Sequence, residues 1–147
     1  NIWVLYYFAG SPASGWGERH FYLSNEWLRA GHSVTIVSST FNHMFSHYSG
    51  GRNQFNYEEI EGRLFCWIKT PKYNPRSVMR FWAMIVFAIK AYFVSRSKAG
   101  KPDIILVSSM PIFPALTGWL LKKRYRARKF IFEIRDLWPL TPIHLMG

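Results

Sequence analysis

Short apolar runs recur along the chain, and most of them end at glycine, proline or serine. Such runs are typical of strands that are buried on both faces of a parallel sheet. The residues around Gly62 instead predict a short hairpin, with one arm at residues 58–60 and the other at residues 63–70. The buried strands are predicted at residues 2–8, 34–37, 104–107 and 130–132.

Three segments with helical spacing lie between the strands. The first opens at Glu18 and stops at Gly31, a common residue at helix ends. The second is a single long helix over residues 76–98, and the third covers roughly Phe113–Tyr125. The order of strand, glycine-rich loop, helix and strand at the start of the chain indicates a doubly wound α/β sheet with a mainly parallel arrangement. We expect one domain over residues 1–147.

The long helix carries a narrow basic stripe. At about 100° per residue, one arc of about 80° holds a set of mainly cationic and apolar residues: Arg76, Arg80, Ala83, Phe87, Lys90, Val94 and Lys98. One interpretation is a solvent-facing stripe on a helix that packs against the sheet. The other is an interfacial helix on anionic lipid. In that case the membrane contacts are Arg76, Arg80, Phe87 and Lys90, with Trp82, Tyr92 and Phe93 as possible anchors.

The charge distribution favours a polyanionic partner. The formal charge is +11, and residues 71–147 hold fourteen Lys/Arg against three Asp/Glu, whereas residues 1–70 hold five of each. Nucleic acid, an anionic membrane or a phosphorylated substrate would each suit this excess. No zinc-finger or RNP sequence is present, so nucleic acid is disfavoured. The single cysteine, Cys66, and the five histidines show no metal-ligand spacing, so no metal is expected.

Polar residues follow three of the predicted strands, at residues 9–19, 108–111 and 135–138. Ligands of open α/β sheets collect at the carboxyl ends of the strands. The first segment contains G-S-P-A-S-G-W-G, and its backbone N–H groups could bind a phosphate. It lacks the G-x-G-x-x-G spacing of dinucleotide-binding loops. The alternative is a simple turn between strand and helix. Ser108 and Ser109 could donate hydroxyls to a polar ligand or merely begin the next turn.

The stretch K-F-I-F-E-I-R-D-L-W-P at residues 129–139 combines an apolar strand with charges and an aromatic ring. It brings Glu133, Arg135, Asp136 and Trp138 into six residues. Arg135 can hold a phosphate or carboxylate bidentately. Asp136 could accept a sugar hydroxyl, act as a base or cap a helix. Trp138 could stack on a sugar ring or prenyl chain, or fill the core.

Four separated strings occur in the order A-G-S-P with R-H-F-Y-L, then W-L-R-A-G-H-S-V-T-I-V, then K-P-D leading to S-S, and finally F-E-I-R-D-L-W-P-L. With them the chain resembles the N-terminal half of a bacterial GT-B glycosyltransferase of the retaining family 4 type. It is most similar to the group that builds O-antigen, capsule and exopolysaccharide, including N-acetyl-fucosamine transferases. The resemblance implies a Rossmann-like acceptor domain, facing a C-terminal domain that binds the nucleotide-sugar.

The resemblance also implies roles for individual residues. The catalytic residues would be Arg135 and Asp136. A loop beside the donor phosphates would contain Gly15, Trp16, Gly17 and Arg19, although Trp16 stands where a smaller residue is expected. The acceptor site would contain Ser108, Ser109 and Trp138.

The resemblance further implies a nucleotide-sugar donor with no other cofactor, and a lipid-diphosphate-linked sugar as acceptor. The protein would act in lipopolysaccharide or exopolysaccharide biosynthesis, on the inner face of the cytoplasmic membrane. Without the donor domain or a partner chain, residues 1–147 would be inactive. The alternative is a membrane-anchoring subunit of a split glycosyltransferase.

Overall fold

The computed structural model describes residues 1–47, 51–94 and 96–135. Within these ranges, the structure contains six strands and four α-helices. A short 3₁₀ turn at Pro12–Ser14 follows the first strand. The elements in chain order are β1 (Ile2–Leu5), α1 (Arg19–Arg29), β2 (Val34–Ser39), β3 (Phe55–Ile60), β4 (Arg63–Ile68), α2 (Met79–Ala91), α3 (Arg96–Ala99), β5 (Ile104–Ser108), α4 (Phe113–Tyr125) and β6 (Lys129–Glu133).

The six strands form one mixed, mainly parallel sheet in the order β3-β4-β2-β1-β5-β6. Only β3, at one edge, runs antiparallel to its neighbour. From β1 the chain first builds outward through β2 to β4, and it then returns to place β5 on the other side of β1. In register, Val4 of β1 lies between Ile36 and Leu106. This confirms the α/β class and is compatible with a Rossmann-like arrangement.

Helices cover both faces of the sheet, which explains why the strands are apolar throughout. Successive residues of a strand point to opposite faces. Val4 therefore belongs to the cluster that contains Phe21 of α1, whereas Leu5 belongs to the cluster that contains Phe87 of α2 and Leu121 of α4. All five side chains are almost completely buried.

The prediction of one helix over residues 76–98 is wrong. The helix α2 ends at Ala91, and α3 begins only at Arg96. Tertiary contacts satisfy the end of α2, because Arg124 donates to the carbonyl of Tyr92 at 2.9 Å and Tyr125 donates to that of Val94 at 3.2 Å. The turn also buries the side chain of Val94 in the core.

The basic stripe expected on this helix does not form one surface. Phe87 is fully buried and packs edge-on against Tyr7, with ring centroids 5.3 Å apart. It therefore cannot contact a membrane, and its assignment as a membrane contact is wrong. Ala83 is also buried. Lys90 is half-buried and donates to the carbonyl of Lys69 at 2.6 Å.

Among the helices in the described ranges, none is both long and apolar enough to cross a bilayer.

Candidate functional site

A polar cluster lies where the carboxyl ends of β1, β5 and β6 meet the N-terminus of α1. Its centre is the carboxylate of Glu133, the last residue of β6. Arg19 Nη1 lies 2.6 Å from Glu133 Oε1. His20 Nε2 lies 3.1 Å from Glu133 Oε2, and Ser108 Oγ donates to that same oxygen at 2.8 Å. Glu133 thus connects α1, β5 and β6.

Arg135 is held in the same cluster by its backbone and by its side chain. Its backbone N–H donates to Ser109 Oγ at 2.8 Å, and the Ser109 N–H donates to the carbonyl of Glu133 at 2.8 Å. The Arg135 guanidinium donates to Tyr6 Oη at 2.9 Å and lies 5.3 Å from the centre of the Tyr6 ring. The residue is nevertheless exposed, so its remaining donors face solvent.

His20 is completely buried beneath the cluster, with its ring 5.1 Å from that of Tyr6. Burial lowers the pKa of His20 below its ordinary value, against the opposing effect of Glu133. The imidazole is therefore neutral at neutral pH, and its Nε2–H donates to Glu133. This tautomer leaves Nδ1 as an acceptor, and Nδ1 is buried with no hydrogen-bond partner among the described residues.

Glu133 is an anion at neutral pH. Burial acts to raise the pKa of Glu133, but hydrogen bonds from Ser108 and His20 and the charge of Arg19 outweigh it, so the pKa lies below its ordinary value. The carboxylate already has three donors within hydrogen-bond distance. It can therefore orient its neighbours, whereas Arg19 and Arg135 can face an anionic ligand.

The glycine-rich loop after β1 closes on its own backbone. The N–H of Gly10 donates to the carbonyl of Gly17 at 3.0 Å. A Cβ on Gly10 would lie 2.0 Å from the carbonyl oxygen of Trp16, and one on Gly17 would lie 1.9 Å from that of Phe8. These glycines are thus required for packing. Phosphate binding by Gly15, Trp16 and Gly17 stays a prediction, with the Trp16 side chain 49% exposed.

An apolar groove of about 380 Å³ lies beside the polar cluster. It is bounded by the start of α2, the connection between β5 and α4, and the end of β6. Ser109, which holds Arg135, also lines this groove, so the polar cluster and the groove share a wall. The other lining residues are Arg80, Phe81, Met84, Met110, Pro111, Ile112, Phe113, Phe132 and Ile134.

The structure brings together four of the residues singled out in the sequence. These are Arg19, Ser108, Ser109 and Arg135. Asp136 and Trp138 lie outside the described residues. The sequence reasoning did not place His20, Tyr6 or Glu133 in the site.

Signals for the missed residues exist in the chain. Glu133 is a charge that directly follows the apolar run of residues 130–132 in β6. His20 falls on the apolar side of α1, next to Phe21 and one turn before Ser24, and all three are buried.

The described residues include no group of three or more His, Cys, Asp or Glu side chains that could hold a metal ion. The Cys66 thiol is buried in β4, and burial raises its pKa to about 12, so it is not a nucleophile at neutral pH. The site is characterised by arginines, hydroxyls and a buried histidine paired with a half-buried glutamate.

Comparison of the chain with protein-family models and with the sequences of curated proteins gives no match.

Proposed function

We propose that this chain is the acceptor-side domain of a nucleotide-sugar-dependent glycosyltransferase that builds cell-surface polysaccharide. The observation that carries the proposal is the shared wall at Ser109, where a cationic polar cluster adjoins an apolar groove. A lipid-diphosphate-linked sugar has the same two parts, an anionic diphosphate and an apolar chain. The resemblance of the F-E-I-R-D-L-W-P string to retaining GT-B enzymes supports the same assignment.

In this proposal the groove receives the first part of the lipid chain, and the two arginines serve the polar head. Arg135 has free donors beside Ser109, and the Arg19 side chain is 49% exposed despite its pairing with Glu133. Charge-assisted hydrogen bonds to phosphate oxygens are the strong contacts available to such groups. Glu133 is a positioning residue, because its carboxylate pairs with Arg19, while its backbone carbonyl accepts from the N–H of Ser109, whose hydroxyl holds Arg135.

The donor half would come from a further domain or a partner chain, and the reaction would take place across the cleft between them. The bond from the anomeric carbon to the donor diphosphate breaks, a bond to the acceptor hydroxyl oxygen forms on the same face of the sugar, and the proton of that hydroxyl passes to the departing diphosphate. Fixed cations would stabilise the departing diphosphate. Asp136 stays a catalytic candidate through the resemblance alone.

The first test measures binding of a prenyl-diphosphate-linked sugar to this chain by isothermal titration calorimetry. We expect Arg135→Ala to weaken binding by roughly tenfold or more, since a charged hydrogen bond is lost. The matched control is Arg29→Ala, which removes an exposed arginine of α1 that pairs with Glu26. Equal loss in both variants, or no binding by the wild type, would contradict the proposal.

The second test joins the chain to a nucleotide-sugar-binding domain and measures transfer to the same acceptor. We expect activity with the wild-type chain and a large loss with Glu133→Ala, because Arg19 then loses its ion pair, and His20 and Ser108 lose their common acceptor. An unchanged rate in Glu133→Ala would remove the polar cluster from the site. The runner-up function, a membrane-anchoring subunit, predicts vesicle binding without any effect of these variants on transfer by the partner.

A further inference from the structure

The outer surface of the α2–α4 layer is unusually apolar. Most of the exposed large apolar side chains in the described part of the chain lie on these two helices and their flanking turns. We call this surface the aromatic face. It comprises Val78, Met79, Phe81, Trp82, Ile89 and Phe93 from the α2 region, and Ile112, Phe113, Leu116, Trp119 and Leu120 from the α4 region.

The two helices present this face together because they pack side by side on the same side of the sheet. Thr117 of α4 donates its hydroxyl hydrogen to the carbonyl of Ala88 at 2.8 Å, and both helices contribute to one core cluster. Each helix buries its inner side against the strands, so the opposite sides form one continuous outer surface. The apolar groove opens at the end of this surface where both helices begin.

Cations frame the aromatic face. The Lys123 ammonium lies 3.7 Å from the centre of the Trp119 ring, and the Arg124 guanidinium lies 4.8 Å from that of Tyr92. Arg80, at the opposite end, lies 5.4 Å from the centre of the Phe81 ring. Neither α2 nor α4 contains an aspartate or glutamate. The face therefore combines apolar and cationic groups with no carboxylate from its own helices.

We infer that the aromatic face lies on an anionic lipid bilayer, with its aromatic and aliphatic side chains in the headgroup region and its cations against lipid phosphates. Tryptophan and phenylalanine beside lysine and arginine suit this environment, because the rings enter the interface while the charged ends remain among the headgroups. Charge complementarity favours anionic lipid over a neutral apolar partner.

This surface replaces the stripe that the helical spacing predicted. The bilayer contacts are Phe81, Trp82, Trp119 and Lys123, and half of them belong to α4, which the sequence did not associate with a membrane. The inference rests on the proposed function in one respect, since a lipid-linked acceptor is found at a membrane. The groove then lies between the bilayer and the polar cluster.

The test is co-sedimentation of the chain with phosphatidylcholine vesicles, with and without phosphatidylglycerol, at low salt. We expect binding that requires phosphatidylglycerol. The double variant Trp82→Ser/Trp119→Ser is expected to bind about tenfold or more weakly, because two rings no longer enter the interface. Lys123→Ala is expected to bind about fivefold more weakly.

The matched control is Tyr22→Ser, which removes an aromatic side chain of similar exposure (54%) from α1, on the other side of the sheet. It should bind as the wild type does. A second readout is quenching of tryptophan fluorescence by brominated lipid, which the double variant should largely lose. All substituted side chains are exposed, and circular dichroism checks that each variant is folded.

Absence of binding to phosphatidylglycerol vesicles at low salt would overturn the inference, as would equal binding by the wild type and the double variant. A concentration-dependent dimer that the double variant abolishes, without vesicle binding, would assign the face to a second copy instead. The vesicle assay contains no sugar, so its result does not depend on the outcome of the sugar-transfer experiment. Conversely, transfer to a short-chain, water-soluble acceptor would persist if only the membrane inference fails.

Discussion

At the scale of single residues, the buried His20 and the half-buried Glu133 determine the electrostatics of the site. The histidine loses hydration on folding, which favours its neutral form, while the neighbouring carboxylate favours the protonated form. The desolvation effect is the larger one, so the pKa of His20 is lowered. The effect of the carboxylate on the pKa of His20 can be measured directly, because a substitution at Glu133 can remove its charge.

We predict that the pKa of His20 in the folded chain lies below 6.5, the ordinary value, and falls further in Glu133→Gln. The substitution removes the charge that opposes desolvation and retains the side-chain shape. The measurement is an NMR titration of the imidazole resonances, with His20→Gln used to assign the signal. Glu26→Gln, an exposed carboxylate on the same helix, should leave the titration unchanged. A rise in pKa in Glu133→Gln would contradict the balance described here.

The same shift has a consequence for stability. Between the folded pKa of His20 and its ordinary value of 6.5, the unfolded chain binds more protons than the folded chain. The contribution of His20 to stability is therefore fully present above pH 6.5 and decreases as the pH falls towards the folded pKa. Urea unfolding of the wild type and His20→Gln across this range should show a difference that depends on pH in this direction.

At the scale of elements, the sequence predicted the location and type of the helices and strands better than their lengths. The bounds of α4 agree with the expected Phe113–Tyr125, and each predicted strand is present. The predicted helix over residues 76–98 was too long because apolar residues continue at helical spacing beyond Ala91. Periodicity alone does not reveal the tertiary contacts that end the helix. The bonds from Arg124 to Tyr92 and from Tyr125 to Val94 join residues far apart in sequence.

Gly17, in the loop after β1, and Gly31, after α1, form a matched pair of glycines. Gly17 and Gly31 have the same φ of 80°, but a Cβ on Gly17 would lie 1.9 Å from the carbonyl oxygen of Phe8, whereas one on Gly31 would meet nothing within 4 Å. We predict that Gly31→Ala lowers the free energy of unfolding by about 1 kcal/mol through backbone strain. Gly17→Ala should cost roughly 1–3 kcal/mol more, because the loop must shift.

The measurement is urea unfolding of both variants beside the wild type. Since the two positions share the strained dihedral angle, the difference between the variants isolates the close approach of the loop to the end of β1. Equal losses of stability would show that the loop can open without cost.

At the scale of the whole molecule, the single thiol reports on opening of the sheet. Cys66 lies on β4, hydrogen-bonded between β3 and β2, and is completely buried. We predict that its reaction with a disulfide reagent in the native chain is roughly a thousandfold or more slower than in the unfolded chain, because only opened molecules react. Arg52→Cys in a Cys66→Ala background, with the thiol at an exposed position, should react rapidly. Comparable rates at the two positions would contradict a closed sheet.

The site illustrates which parts of function can be predicted from a sequence. Because carboxyl ends of parallel strands share one edge, the sequence placed Ser109 and Arg135 in the same region, and the structure agrees. The role of Glu133 comes from its contacts with Arg19 and His20, which exist only because α1 packs against the end of β6. The aromatic face likewise required the structure, since it combines two helices that are separated in the chain.

The pairing of His20 with Glu133 also constrains the order of folding. The two residues are 113 positions apart, so their contact closes most of the described chain into a loop. Contacts of such high sequence separation carry a large entropic cost and form slowly. During synthesis, α1 emerges long before β6, so this pair can form only after β6 has been synthesised. Assembly of the site therefore requires that all six strands of the described sheet are present.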